Sequence, residues 1–567
     1  MPAPTERVRA AYRRITEADR PEVWIALRPE QELSAEAEAL EERLASGEEL
    51  PLAGTLVAVK DNIDVAGLPT TAGHPGFAYT PEVSATAVRR LTGAGALVLG
   101  KTNLDQFATG LVGTRSPYGA VRNALDPTRI SGGSSSGSAV AVALGIADVA
   151  LGTDTAGSGR VPAALHGLVG LKPTLGLVPN TGVVPAAEPY DCVTVFARDL
   201  AAGQRALKVM TGPDPRDPAS RDWPADVRLA PRNPARTAVP DADGLAPLSD
   251  GEREAFRTAV AALTGAGVQV EEVDIAPLLE AARLLYDGAL VAERYAAVGA
   301  FLAEHRDSPY TDPTVAGIIL AAAELPATRL AADQHRLAGY RSLARELLDG
   351  FDGLLVPTTV GHPTLAEVAA DPVGENSRLG TYTNFVNLLD LAAVAVPAGT
   401  ADGHTFGVTV VAPAFEDQAA LDLAGLITGG EPVQALPGTG VELAVFGAHL
   451  RGQPLNHQLT ELGARFVEAT ATSGDYRMVA LATTPPKPGL LRVNGGGSAL
   501  RCEVWSISPA GLGTFLAALP APMSLGAVTL ADGRTVVGFG CEPAAAEGAE
   551  DITRHGGWPA YRESLRD

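Results

Sequence analysis

The chain has 567 residues, 46% of them hydrophobic, with 62 glycines and 43 prolines, which is too long for one ordinary core and predicts at least two turn-rich domains. No run of about 18 apolar residues offers a membrane helix, and a net charge of -22 argues against nucleic acid or an anionic membrane as partner. The N-terminal MPAPTERVRAAYRRITEADRPEVW lacks the apolar core of a signal peptide, so a cytoplasmic location is expected.

Residues 1–48 read as helical and end in the acidic amphipathic stretch LSAEAEALEERLASGEE. Leu56 to Val59 then form an apolar strand that ends at Lys60. The segment ATAVRRLTGAGALVLGKTN predicts a helix, a glycine turn and a strand over 96–99. Residues 130–160, ISGGSSSGSAVAVALGIADVALGTDTAGSGR, place two glycine/serine clusters around a helix over 138–144 and a buried strand over 149–151. Glycine costs about 1 kcal/mol in a helix interior and serine competes for backbone hydrogen bonds, so both clusters are predicted loops. They are expected to return to one edge of a sheet.

Further apolar runs, LVGLKP, LLVPTT and AVAVPAG, extend an α/β pattern of a sheet covered by helices. Residues 201–350 are helix-rich apart from a polar Pro/Asp/Arg excursion at 212–236. Residues 1–428 are therefore read as one domain, the Pro/Gly-rich Gly429 to Gly440 as a linker, and 441–567 as a second domain with strands in YRMVALA, CEVWSIS and TVVGFGC. The tandem Gly495-Gly496-Gly497 reads as a hairpin turn. Cys192, Cys502 and Cys541 lie far apart without a CxxC pair, which suggests neither a disulfide framework nor a zinc site.

Gly133-Ser134-Ser135-Ser136-Gly137 matches G-x-S-x-G, but the preceding LDPTR is turn-like where a nucleophile elbow needs a strand. No G-x-x-x-x-G-K-[ST] phosphate loop occurs here. Three separated elements account for the pattern better: strand-end Lys60, the first loop and Ser158. In VAVKDNIDV, SGGSSSGS and LGTDTAGSGR, together with LVGLKPT and AVAVPAG, roughly residues 50–430 resemble the amidase signature family.

That resemblance implies a mixed sheet covered by helices and a catalytic triad of Lys60, Ser134 and Ser158. Ser158 is then the nucleophile and Ser134 the bridging serine after a cis peptide bond. Lys60 is the base, made neutral by desolvation. The N–H groups of Thr155, Ala156, Gly157 and Ser158 are the expected oxyanion donors, and neither metal nor cofactor is required.

KTNLDQFATGLVGTRSPYG and TDTAGSGRVPA, with Ala156, are most similar to the two-domain allophanate hydrolase branch. By that resemblance Tyr286 and Arg294, eight residues apart and so about two turns along one helix, bind the substrate carboxylate. Gly110 is a further candidate, through its backbone. VFGAHLRGQPLNHQLTELG resembles the start of a C-terminal domain of γ-glutamylcyclotransferase-like α+β fold. Two readings of that domain stay open: decarboxylation with His449 as base, or a support for dimerisation in which His449 satisfies a turn. His457 reads as a solvated residue at a helix start.

The implied activity is hydrolysis of allophanate to ammonia and N-carboxycarbamate in a homodimer, coupled metabolically to a urea carboxylase. Another small amide such as malonamate or a biuret derivative, a complex-bound amidotransferase component, and a non-catalytic scaffold are the alternatives.

Overall fold

Short, largely β-branched runs hydrogen-bond into a mixed eleven-stranded sheet in the structure, a computed structural model that describes residues 2–430 and 435–566. The chain divides into two compact units, 1–222 with 236–433, and 223–235 with 434–567. Residues 431–434 of the expected linker lie outside the described residues. Among the described residues no single helix is long and apolar enough to cross a membrane.

The first unit holds β1 (Trp24–Leu27), β2 (Leu56–Lys60), β3 (Leu97–Thr102), β4 (Val149–Asp154), β5 (Val169–Lys172), β6 (Cys192–Ala197), β7 (Arg236–Pro240), β8 (Gln269–Val273), β9 (Gly353–Pro357), β10 (Leu391–Ala401) and β11 (His404–Pro413). Their order is β1-β3-β2-β4-β6-β5-β10-β11-β9-β7-β8. Strand β2 runs parallel to both β3 and β4, so these three end at the same edge. Every residue of β2 and β4 is buried, as expected for strands covered on both faces. Helices Pro4–Ala18, Glu30–Ala45 and Ser136–Ala143 share one core with β2, β3 and β4. Helices Ala276–Arg283 and Ala327–Leu348 share another with the far end of the sheet.

The expected strands at 56–60 and 149–151 and the helix at 138–144 are present with shifts of a few residues. Residues 1–48 are not helical throughout, because β1 interrupts them. Pro21 follows the end of the first helix, and Pro29 directly precedes the second.

In the second unit, β12 (Val441–Val445), β13 (Arg465–Ala471), β16 (Arg501–Ile507), β17 (Met523–Thr529) and β18 (Thr535–Cys541) form one sheet in the order β13-β16-β12-β18-β17. Strands β14 (Tyr476–Leu481), β15 (Lys487–Arg492) and β19 (Glu550–Asp551) form a second. Gly495 to Gly497 is no hairpin turn: it joins β15 to β16, which lie in different sheets. Segment 223–235 belongs to this unit. Leu229 N–H donates to Gly463 O and Ala510 N–H to Ala225 O, with Val227 and Leu229 buried.

Candidate active site

Lys60 is the last residue of β2, and Thr153 and Asp154 end its parallel neighbour β4. Loops that follow adjacent parallel strands open at one sheet edge, where α/β proteins place their ligands. The first glycine/serine loop precedes the helix Ser136–Ala143, whose far end leads back into β4. It thus lies beside the second loop, which leaves β4.

The two loops and the strand end meet in a chain of three side chains. Lys60 Nζ donates to Ser134 Oγ at 2.7 Å, and Ser134 Oγ donates to Ser158 Oγ at 3.0 Å. The Gly133–Ser134 peptide is cis. Lys60 also donates to Thr153 Oγ1 at 2.7 Å and Thr153 O at 3.3 Å, and Asn62 Nδ2 donates to the same Thr153 hydroxyl. All three members of the chain are buried. Burial pushes the Lys60 ammonium down to about 7; Asp105, Asp154 and Asp191 pull it upward, and the positive charge of Arg294 adds to the depression.

The loop that carries Ser158 is held by Asp154. Its Oδ1 accepts from Gly157 N–H at 2.8 Å and from Arg160 Nη2 at 2.9 Å, while Oδ2 accepts from Gly159 N–H and Arg160 Nε. Arg160 continues to Thr383 O and Asn387 Oδ1, and Asn387 Nδ2 returns to Asp154 O. Burial favours a neutral Asp154, but the Arg160 guanidinium, with the Lys172 charge and the Gly159 N–H, holds the carboxyl below its usual range.

Of the four N–H groups expected as oxyanion donors, that of Gly157 donates to Asp154 Oδ1. Among the described residues the N–H groups of Thr155, Ala156 and Ser158 have no protein acceptor. Gly157 serves another end: its φ is +136°, and an added Cβ would lie 2.3 Å from Thr383 Oγ1.

Tyr286 and Arg294 come together, though not on one helix. Helix Ala276–Arg283 ends before Tyr286, and a new one starts at Ala292. The break centres on Gly288, which is extended, and on Ala289, whose N–H is drawn to the buried Asp333 carboxylate. Arg294 Nη2 nevertheless donates to Tyr286 Oη at 2.9 Å, and Nη1 donates to Thr109 Oγ1 and Ala108 O. Arg294 is 1% exposed, its Nε has no partner, and among the described residues no carboxylate pairs with it.

Gly110 follows Thr109 in that same contact loop. Asp105 organises the loop by accepting from the N–H groups of Val112, Gly113 and Arg115, and its own N–H donates to Ser134 O. It therefore ties the Arg294 contacts to the serine chain. Thr153, Asp105, Asp154, Arg160 and Asn387 are the site residues that sequence reasoning left without a role. Asp154 and Arg160 stand inside the quoted TDTAGSGR, whereas Asn387 carries no local signal.

In the second unit, His449 lines a cavity with Gly447 and Lys487. His457 is exposed and begins a short helix, as expected.

Residues 6–421 match the amidase family, and residues 441–563 match the allophanate hydrolase C-terminal domain. The urea amidolyase of Saccharomyces cerevisiae is 43% identical over 575 aligned residues, covering 96% of this chain and 31% of that protein. The chain thus spans about a third of the length of the urea amidolyases it matches. A glutamyl-tRNA(Gln) amidotransferase component from Deinococcus radiodurans is 37% identical over 439 residues, covering 70% of this chain and 88% of its own. A crystallised Kluyveromyces lactis allophanate hydrolase is 41% identical, superposes with a TM-score of 0.88, and covers all of this chain and 97% of its own.

Proposed function

Because the chain belongs to the amidase family and ends in an allophanate hydrolase C-terminal domain, we propose that it hydrolyses the terminal amide of allophanate. Neutral Lys60 takes the Ser134 proton while Ser134 takes that of Ser158, and the Ser158 oxygen attacks the terminal carbonyl carbon. The electron pair pushed onto the carbonyl oxygen meets the N–H groups of Thr155, Ala156 and Ser158. Collapse returns the proton to the amide nitrogen, which leaves as ammonia. Water then cleaves the Ser158 ester and releases N-carboxycarbamate. With His449 as the proposed base, one carboxyl of that product gives up its proton, carbon dioxide leaves as the C–N electron pair and a proton go to nitrogen, and the carbamate so formed takes up a further proton and loses carbon dioxide to give the second ammonia.

The observation that carries the choice of substrate is Arg294. The serine chain would serve any small amide, but a buried guanidinium with no carboxylate of its own calls for an anion, and the Arg fork suits the carboxylate of allophanate. Tyr286 sets the fork from one side, and the backbone at Gly110 lies in the loop that holds its other side. A urea carboxylase is the proposed supplier of substrate, supported by the match to urea amidolyases. The same reading includes a cytoplasmic homodimer, which light scattering of the purified chain tests.

Ammonia release from allophanate, from malonamate and from the neutral malonamide tests the proposal. Ser158→Ala is expected to lose activity by about 1000-fold or more on every substrate. Arg294→Ala is expected to lose about 100-fold on allophanate and little on malonamide, since one charge-assisted contact at a buried site is worth about 2–3 kcal/mol. Equal losses on both would overturn the anionic substrate, and an unchanged Ser158→Ala rate would overturn the nucleophile.

A further inference from the structure

Phe107 and Ala108 stand side by side in the left-handed region, at φ +50° and +53°, although both carry a Cβ. Such a pair is costly for L-residues and persists only where the surroundings enforce it. Here Phe107 N–H donates to Ala72 O at 2.8 Å, and Ala108 N–H donates to Asp105 O at 2.9 Å. The Phe107 ring meets Phe77 and Phe301 edge-on, at 5.4 and 5.8 Å between centroids. The strained turn leads directly into the contacts with the substrate-side arginine: Arg294 Nη1 donates to Ala108 O at 3.3 Å and to Thr109 Oγ1 at 3.0 Å.

The start of the same segment is fixed to the serine chain. Asp105 N–H donates to Ser134 O at 3.1 Å. Its fully buried carboxylate gathers the rest of the loop, Oδ2 accepting from Val112 N–H at 3.2 Å and Gly113 N–H at 3.0 Å, and Oδ1 from Arg115 N–H at 3.0 Å. Arg115 Nη1 closes the loop by donating to Thr109 O. Two glycines let the carboxylate come this close. An added Cβ would lie 2.6 Å from Asp105 Oδ2 at Gly110 and 2.0 Å from it at Gly133. Asp105 therefore packs against the residue after Thr109 on one side and the residue before Ser134 on the other.

We propose that Asp105 is a positioning residue that fixes the span between the Arg294 guanidinium and the Ser158 hydroxyl, and so selects carboxylated amides whose carboxylate and amide carbons are separated by a single atom. This rests on the reading in which Arg294 takes the substrate carboxylate and Ser158 attacks the amide, and it adds what sets the distance between them. Asp105 acts through the Ala108–Thr109 turn and the Ser134 peptide rather than on the substrate. A span held in this way selects by length, because misplacement of a reacting carbon by about 1 Å is enough to cost about 100-fold in rate.

The test compares kcat/KM for ammonia release by the full-length chain from malonamate, from succinamate, which is one carbon longer, and from the neutral malonamide. The wild type is expected to prefer malonamate to succinamate by about 100-fold or more, a comparison that needs no substitution. Asp105→Asn keeps the shape of the side chain but sets an amide NH2 against backbone N–H groups, and is expected to reduce that preference about tenfold. Ala108→Gly accepts a left-handed φ without strain, so it is expected to unfold no earlier than the wild type and still to lose several-fold of the preference; it decides the matter where Asp105→Asn fails to fold. Similar wild-type rates on malonamate and succinamate, or variants that lose equally on all three amides, would overturn the fixed span. A chain that selects by length yet releases no ammonia from allophanate keeps the span and fails the choice of substrate. One that hydrolyses allophanate without selecting by length fails the span alone.

Discussion

Three lysines of the first unit, Lys60, Lys101 and Lys172, are buried at or next to strand ends, and the partners of the first two separate their roles. Lys101 lies 3.2 Å from Asp61 Oδ1, both side chains fully buried, and is a structural cation in a closed ion pair. Lys60 faces only hydroxyl and carbonyl oxygens, so nothing holds its proton strongly. With a pKa near 7 it is half-charged at neutral pH, and only the neutral half can accept a proton. The rate of ammonia release is therefore expected to rise with pH through about 7 and to level off above it. A pH profile flat from 6 to 8 would remove Lys60 as the base.

The same shift makes a stability prediction. In the unfolded chain Lys60 titrates near 10.5, and in the fold near 7, so between these values the unfolded state binds the extra proton. Stability then rises with pH across that window, and burying Lys60 is most costly at pH 7 and below. Lys60→Met should be inactive yet more resistant to urea than wild type at pH 7, with the advantage shrinking toward pH 10. Loss of stability at pH 7 would mean that the hydrogen bonds to Ser134 and Thr153 outweigh desolvation.

At the scale of elements, the site is the place where two parallel strands, two loops and one distant helix meet, and these were unequally legible in the sequence. Strands β2 and β4 showed because strands covered on both faces are continuous apolar runs. The edge strand β8, QVEEV, is mostly exposed and offers no such run, and β1 was hidden in a stretch of helical composition. The break before Arg294 escaped because its cause, Asp333 holding Ala289 N–H, lies on a helix far along the chain. Asn387 escaped for the same reason. It is the far support of the Ser158 loop, through Arg160 and Asp154 O. Asn387→Ala should take one hydrogen-bond partner each from Arg160 Nη2, Asp154 O and Tyr190 O, lower stability by about 2–3 kcal/mol, and reduce kcat more than KM. An unchanged kcat with intact stability would show that Asp154 and Arg160 hold the loop unaided.

At the scale of the whole molecule the chain passes between its two units more than once. It leaves the first at 222, contributes 223–235 to the second, returns at 236, and enters the second again after 433. A boundary drawn only at 429–440, where the Pro/Gly content puts it, therefore cuts the second unit from part of itself. A truncation ending at Gly440 would keep 223–235 but remove Gly463 and Ala510, the residues that pair with Leu229 and Ala225. Val227 and Leu229, buried at 3% and 0%, would then face water, and burial of such side chains is worth about 1.5–3 kcal/mol each. That truncation is expected to be poorly soluble. Replacing 223–235 by a Gly/Ser linker of equal length should restore solubility and retain ammonia release from allophanate, because Lys60, Ser134, Ser158, Tyr286 and Arg294 all lie in the first unit. Sedimentation and activity of the two truncations decide the point: equal solubility would mean that 223–235 does not need the second unit to stay soluble, and a soluble but inactive linker variant would mean that the amidase reaction needs the second unit as well.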